Sequence, residues 1–266
     1  MPNKALLLKE LKGLIKLLAI FAAILTLYIS MIIAMYDPSI IGTINQFRET
    51  MPELMAIVGM NGTSDSLTGF MISYLYGFIL LMFPMIFSFF CAYKLVGKYI
   101  DKGSLSVLLS APVSRLSIIL TETAAAVIGL LILLLYITAT ELVCSVIQFP
   151  DETEIAGLLQ INFGLFALHL FILGIGFLCA VSFNDLKGSI GAGAGIPVLS
   201  YVITMLGNAG EKTAAFRYLS FFSLYDPSGL VREEPAAYIG TAVLLTGAWL
   251  LFGLSAVIFS KRDFTL

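Results

Sequence analysis

The sequence predicts an all-α polytopic membrane protein with six transmembrane helices, and three observations carry that prediction. Of its 266 residues, 59% are hydrophobic and only 12% are charged, whereas soluble domains are about 45–50% apolar and about 25% charged. The mean hydropathy of +0.99 describes more apolar surface than one globule of this size can hide from water. Six uncharged runs occupy residues 17–36, 66–93, 123–140, 155–184, 188–210 and 235–260. In lipid only helices or closed barrels satisfy the backbone, and continuously apolar runs do not fit the alternation of a barrel strand. A soluble enzyme, a nucleic-acid binder and a disordered chain are excluded at this step.

The elements follow in order, and the whole chain, 1–266, reads as a single membrane domain. In residues 1–16, Lys9, Lys12 and Lys16 share one helical face, while Leu7, Leu11, Leu14 and Leu18 lie on another. That is an amphipathic interfacial helix at the inner surface, leading into the first span, 17–36. No small-x-small cleavage pattern precedes Asp37, so the span reads as uncleaved. A long loop with an amphipathic stretch at 48–60 and an Asn61-Gly62 turn leads to the second span, 66–93, interrupted by Pro84. Crossing the hydrocarbon takes about 20 helical residues. The third span reaches that length once its flanks are included, as 116–148, apolar apart from Glu122 and Glu141.

The fourth span is 155–184 and holds His169, the sole histidine. The fifth, 188–210, carries Gly191-x-x-x-Gly195, which reads as a small-residue packing face, and Pro197. Residues 211–234 contain Phe216, Tyr218, Phe221, Phe222 and Tyr225. So aromatic a loop is expected to pack back toward the bilayer as an interfacial or re-entrant segment. The last span is 235–260.

Six spans put both termini on one side. With the termini inside, 11 of the 15 lysines and arginines lie on inner segments, and 11 of the 17 acidic residues lie on outer loops. The positive-inside bias therefore predicts cytoplasmic termini. Tyr36, Tyr74, Tyr76 and Tyr238 fall near outer span ends, and Tyr93 and Tyr99 near an inner end, where an aromatic belt places them. Cys91, Cys144 and Cys179 show no C-x-x-C spacing and read as small core hydrophobes.

Catalytic signals are sparse. One histidine allows no H-E-x-x-H, and no G-x-x-x-x-G-K-[ST] occurs, so the chain is not expected to hydrolyse ATP in the P-loop manner. Ionisable residues inside spans are the candidates for a translocation path. Glu122 and Glu141 lie 19 residues apart, or ~28 Å along a helix, which puts them at the two boundaries of their span. There a carboxylate finds water or a partner. His169 lies near the midplane, where it reads as a neutral histidine hydrogen-bonded to neighbouring helices ahead of a proton carrier.

The inner loop 94–115 is the most informative segment. Ser104 can cap a short helix, Leu105, Leu108 and Leu109 form an apolar stripe, and Pro112 ends it. In this loop the chain resembles the permease subunits of type-two ABC exporters, whose loop reads G-[ST]-L-x-x-L-L-[ST]-x-P-[VI]-[ST]-R. Residues 103–115 satisfy every position, from Gly103 and Ser104 through Pro112 to Arg115. The C-terminal Phe259-Ser260-Lys261-Arg262-Asp263-Phe264 is similar to that family's F-x-[KR]-[KR]-D-[LF] pattern.

The resemblance implies a homodimer of permease chains in a bacterial plasma membrane, each bound to one of two cytosolic ATPase subunits through a coupling helix at Gly103, Ser104, Leu105, Leu108 and Leu109. ATP and magnesium would then belong to the partner ATPase, with no cofactor in this chain and no nucleic-acid partner. The exported cargo implied by the compact members of that family is an amphipathic or antimicrobial peptide, of the phenol-soluble-modulin kind. An ATP-independent secondary transporter or channel is the alternative, which predicts buried charged pairs or paired broken helices. An intramembrane enzyme would need a catalytic pair that this sequence does not supply.

Overall fold

The computed structural model of the protein describes residues 2–37, 50–51, 57, 66–97, 113–183 and 185–261. The proposed coupling residues Gly103, Ser104, Leu105, Leu108, Leu109 and Pro112 lie outside the described residues, as do Arg262 and Asp263. Arg115 and Lys261 lie within them, at the start of one long helix and the end of another.

Among the described residues six helices are long and apolar enough to cross a membrane, so the chain is an all-α multi-pass membrane protein. Helix α1, Lys4–Ala34, opens on Asn3, whose side chain accepts from the Leu6 amide. Its 31 residues extend ~46 Å at 1.5 Å per residue. The basic N-terminal turns are therefore helical and continue into the span without a break. Leu14, Phe21, Leu25, Ile29 and Ile33 recur at intervals of seven and then four residues toward one side and are buried, while Lys4, Lys9, Lys12 and Lys16 stay exposed.

Helix α2, Leu67–Gly97, begins at Ser66, which caps the Gly69 amide. It is α-helical around Pro84 and π-helical over Ile72–Ile79 and Tyr93–Gly97. Helix α3, Arg115–Gln148, is capped by Ser114, and α4 is Ile155–Ser182. Asp185 caps α5, Leu186–Asn208, within which Pro197 lies. Two 3-10 segments, Glu211–Leu219 and Phe221–Leu224, lead to a one-turn helix α6, Pro227–Val231, capped by Asp226. Helix α7, Pro235–Lys261, closes the bundle.

The central helix is α4, with 83% of its apolar stretch buried against 22% for α1. It packs on α2, α3, α5, α6 and α7, while α1 packs on α3 and α2. Lipid tails are as apolar as leucine, so small residues that admit close packing matter more here than the hydrophobic effect. Gly174 of α4 lies against Ala248 and Leu251 of α7, and Phe177 meets Phe252 edge-on at 5.6 Å. Gly193 of α5 lies against Gly176 and Cys179 of α4.

That last contact corrects the expected packing face. Gly191 and Gly195 point into open space, and Gly193, on the opposite side of α5, makes the contact with α4. The three cysteines are free, with Cys91 and Cys179 buried.

The aromatic loop divides in two. Tyr218 and Leu219 are 91% and 70% exposed, while Phe222, Tyr225 and Leu230 are buried in the bundle core. Gly240 makes the inward fold possible, because a Cβ there would collide with the Leu224 carbonyl. The belt reading needs a similar division. Tyr238 is 42% exposed, but Tyr36 and Tyr76 point inward. Tyr36 donates to Glu152 Oε2 at 2.6 Å and meets Phe149 edge-on, tying the end of α1 to the α3–α4 turn.

Candidate functional site

Glu141 sits two turns before the end of α3, on the bundle side, and is fully buried. A carboxylate that deep needs hydrogen bonds or neutralisation. Tyr76 donates its hydroxyl to Glu141 Oε2 at 2.7 Å. Asn162 of α4 donates Nδ2 to the same oxygen at 2.6 Å, to Tyr76 Oη at 2.7 Å and to Leu158 O at 3.0 Å. The amide must present its nitrogen here, because the carboxylate oxygen and the carbonyl are both acceptors. Tyr76 reaches the carboxylate from the π-helical stretch Ile72–Ile79. Single π turns inside α-helices recur at functional sites.

Tyr225 lies beside this cluster. It follows the second 3-10 segment, and its ring covers Gly164 of α4, whose missing Cβ would stand 3.2 Å from the ring. The hydroxyl of Tyr225 is buried with no protein partner among the described residues, and so are Glu141 Oε1 and Asn162 Oδ1. Burial pushes the Tyr225 hydroxyl well above its ordinary value, and the nearby charges of Glu141 and then Asp226 push it further.

A cavity of about 330 Å³ opens next to these groups, between α2, α5 and the folded-in loop. Tyr76, Tyr201, Phe222, Tyr225, Arg217 and Asp226 are among its walls. The loop is held over it by Ser220, which donates to Ser200 O at 2.8 Å and accepts from Thr204 Oγ1 at 2.6 Å. Arg217 Nε donates to Gly207 O at 3.1 Å. The cavity lies at the face of the bundle opposite the termini, where α2 begins and α5 ends.

The three path candidates do not converge. Glu141 belongs to the cluster. Glu122 lies toward the terminal face, 2% exposed, with neither carboxylate oxygen partnered among the described residues. Glu10 and Lys9 of α1 act on it electrostatically and pair with each other at 3.4 Å. Neither glutamate is therefore solvated: both are enclosed by neighbouring helices, Glu141 with protein partners and Glu122 with none among the described residues. His169 is fully buried, with Nδ1 2.9 Å from Leu165 O and Nε2 3.2 Å from Leu81 O. It thus bridges α4 to α2 one turn before Pro84. Among the described residues no group of His, Cys, Asp and Glu is arranged to hold a metal.

Reading charges alone along the sequence misses Asn162, Tyr76 and Tyr225. One signal does mark Asn162. It stands seven residues before His169 in the same apolar run, and that spacing places both on one helix face. No protein-family model matches the chain, and no characterised protein does.

Proposed function

We propose that this chain is the membrane-spanning permease subunit of an ATP-driven exporter, forming the path and coupling to a separate ATPase. The single observation that carries the reading is the loop of residues 103–115, which meets the exporter-permease pattern from Gly103 to Arg115. Its position supports the reading too. It joins α2 to α3 at the face that bears the termini, where the basic residues concentrate and where the positive-inside bias puts the cytoplasm.

Two copies would pair in a bacterial plasma membrane. Closure of two ATPase subunits, which bind the ATP and magnesium, would drive the coupling loops together. An amphipathic peptide is the cargo that suits such apolar spans. The test is co-purification of a stoichiometric soluble ATPase whose activity the permease alters, followed by ATP-dependent peptide movement in vesicles containing both. Movement no faster with ATP than without would overturn the exporter reading.

A second reading has one specific observation in its favour. The buried Tyr76–Glu141–Asn162 cluster is what an ATP-independent secondary transporter would use to bind a coupling ion. Transport driven by an ion gradient in vesicles of the purified chain alone would establish it.

A further inference from the structure

The folded-in loop contributes two opposite charges to the wall of the outer cavity, Arg217 and Asp226. Among the described residues no ion pair joins them. Each is fixed instead by one backbone contact. Arg217 Nε donates to the Gly207 carbonyl at 3.1 Å, which holds the guanidinium and leaves its two Nη groups without an acceptor among the described residues. Asp226 Oδ1 accepts from the Gly229 amide at 2.9 Å, which leaves Oδ2 without a donor there. Both keep contact with solvent, Arg217 being exposed and Asp226 half-buried. A dissolved ligand can therefore reach them from the face opposite the termini.

A cation in this cavity meets Arg217, an anion meets Asp226, and like charges brought together are costly. A small molecule that carries both signs meets an opposite charge at each end. The guanidinium fork suits a carboxylate, which accepts two parallel N–H bonds, and the free oxygen of Asp226 accepts from an ammonium. Ile72, Leu81 and Met205, with the rings of Tyr201 and Phe222 that meet edge-on at 5.4 Å, give the same cavity an apolar side. An aliphatic side chain placed there leaves water. The volume of about 330 Å³ lies at the low end of small-molecule sites, which suits an amino acid better than a lipid or a long peptide.

We infer that this cavity binds a free amino acid with an aliphatic side chain. Its carboxylate lies on Arg217, its ammonium on Asp226, and its side chain against Tyr201 and Phe222. The site draws only on residues of the cavity wall and does not depend on the exporter reading.

Thermal unfolding of the purified full chain in detergent tests this with L-leucine and two analogues that each lack one charge. Isoamylammonium lacks the carboxylate, and isocaproate lacks the ammonium. All three are titrated at equal ionic strength. A saturable rise in Tm is expected with leucine, since a ligand that binds the folded state stabilises it. Each analogue should bind more weakly by about tenfold or more, as loss of a charged hydrogen bond does. Arg217→Gln should lower the affinity for leucine to that for isoamylammonium, because the carboxylate has lost its partner. Asp226→Asn, which can still cap the Gly229 amide, should bring leucine down to isocaproate. A purely structural role for either residue would not remove one preference and spare the other.

No saturable rise with leucine would overturn the inference, as would equal affinity for the three compounds. A variant that folds and keeps the original preference also overturns it. If one variant does not fold the other decides, and if neither folds the comparison of the three compounds on the unaltered chain decides. The measurement needs no ATPase, so its outcome is separate from that of the exporter test.

Discussion

Tyr76 and Glu141, 65 residues apart, share a hydrogen bond of 2.7 Å inside the bundle, and it ties the π-helical turn of α2 to the buried part of α3. Asn162 bonds to both groups, so three helices meet at one carboxylate oxygen. Groups that interact this closely do not contribute independently to stability.

Tyr76→Phe should destabilise the protein by about 1.5–3 kcal/mol, the range for a hydrogen bond to a charged group. Equilibrium unfolding in mixed micelles measures it. The double variant with Glu141→Gln should cost less than the sum of the two single changes by at least ~0.5 kcal/mol. Strict additivity would show that the bond contributes nothing to the fold.

Gly240→Ala and Gly191→Ala form a matched pair. A methyl at residue 240 collides with the backbone carbonyl of Leu224, whereas at residue 191 it meets nothing. The first should cost about 1–3 kcal/mol through overpacking and should loosen the segment that carries Tyr225. Residue 191 should tolerate the change within ~0.5 kcal/mol. Limited proteolysis of the 211–234 loop reads the loosening.

Tyr225 predicts an alkaline limit. Its hydroxyl is held above the ordinary value, first by burial and then by the charges of Glu141 and Asp226, so the fold favours the neutral phenol. That contribution is complete below about pH 10, the value for an unfolded tyrosine. It is lost as pH rises from there through the folded-state value. The Tm should therefore fall above about pH 10, and Tyr225→Phe should make the fall shallower by up to one proton's worth. An identical slope in the variant would remove the assignment.

On the exporter proposal, Leu105→Asp or Leu108→Asp should leave membrane insertion and Tm unchanged while lowering stimulation of a partner ATPase severalfold. A charge on the proposed docking stripe would oppose burial in a groove. Undiminished transport would sink the docking assignment.

Much of the architecture was legible in one dimension. The uncharged runs 155–184 and 235–260 became Ile155–Ser182 and Pro235–Lys261, because desolvation forces any long apolar segment to close its own backbone hydrogen bonds. That the aromatic loop packs back was foreseeable, but not that Phe222 and Tyr225 are its buried half while Tyr218 stays exposed. The direction of a side chain was harder to read. Tyr74 and Tyr76 look alike beside a span end, yet Tyr74 is only half-buried, its ring tilted against Phe70 at 4.5 Å, while Tyr76 is buried. A π-helical stretch does not keep the 3.6-residue register on which face arguments rest.

By itself, the sequence determined that this chain crosses a membrane as six helices and which segments do so, since that follows from composition along one chain. Only the tertiary structure decided that Glu141 is enclosed, that Asn162 and Tyr76 are its partners, and that Tyr225 returns from a distant loop to stand beside a cavity. Those facts depend on which faces of separate helices meet. That choice is set by close packing at residues such as Gly164 and Gly240, where the absence of a side chain lets one element approach another.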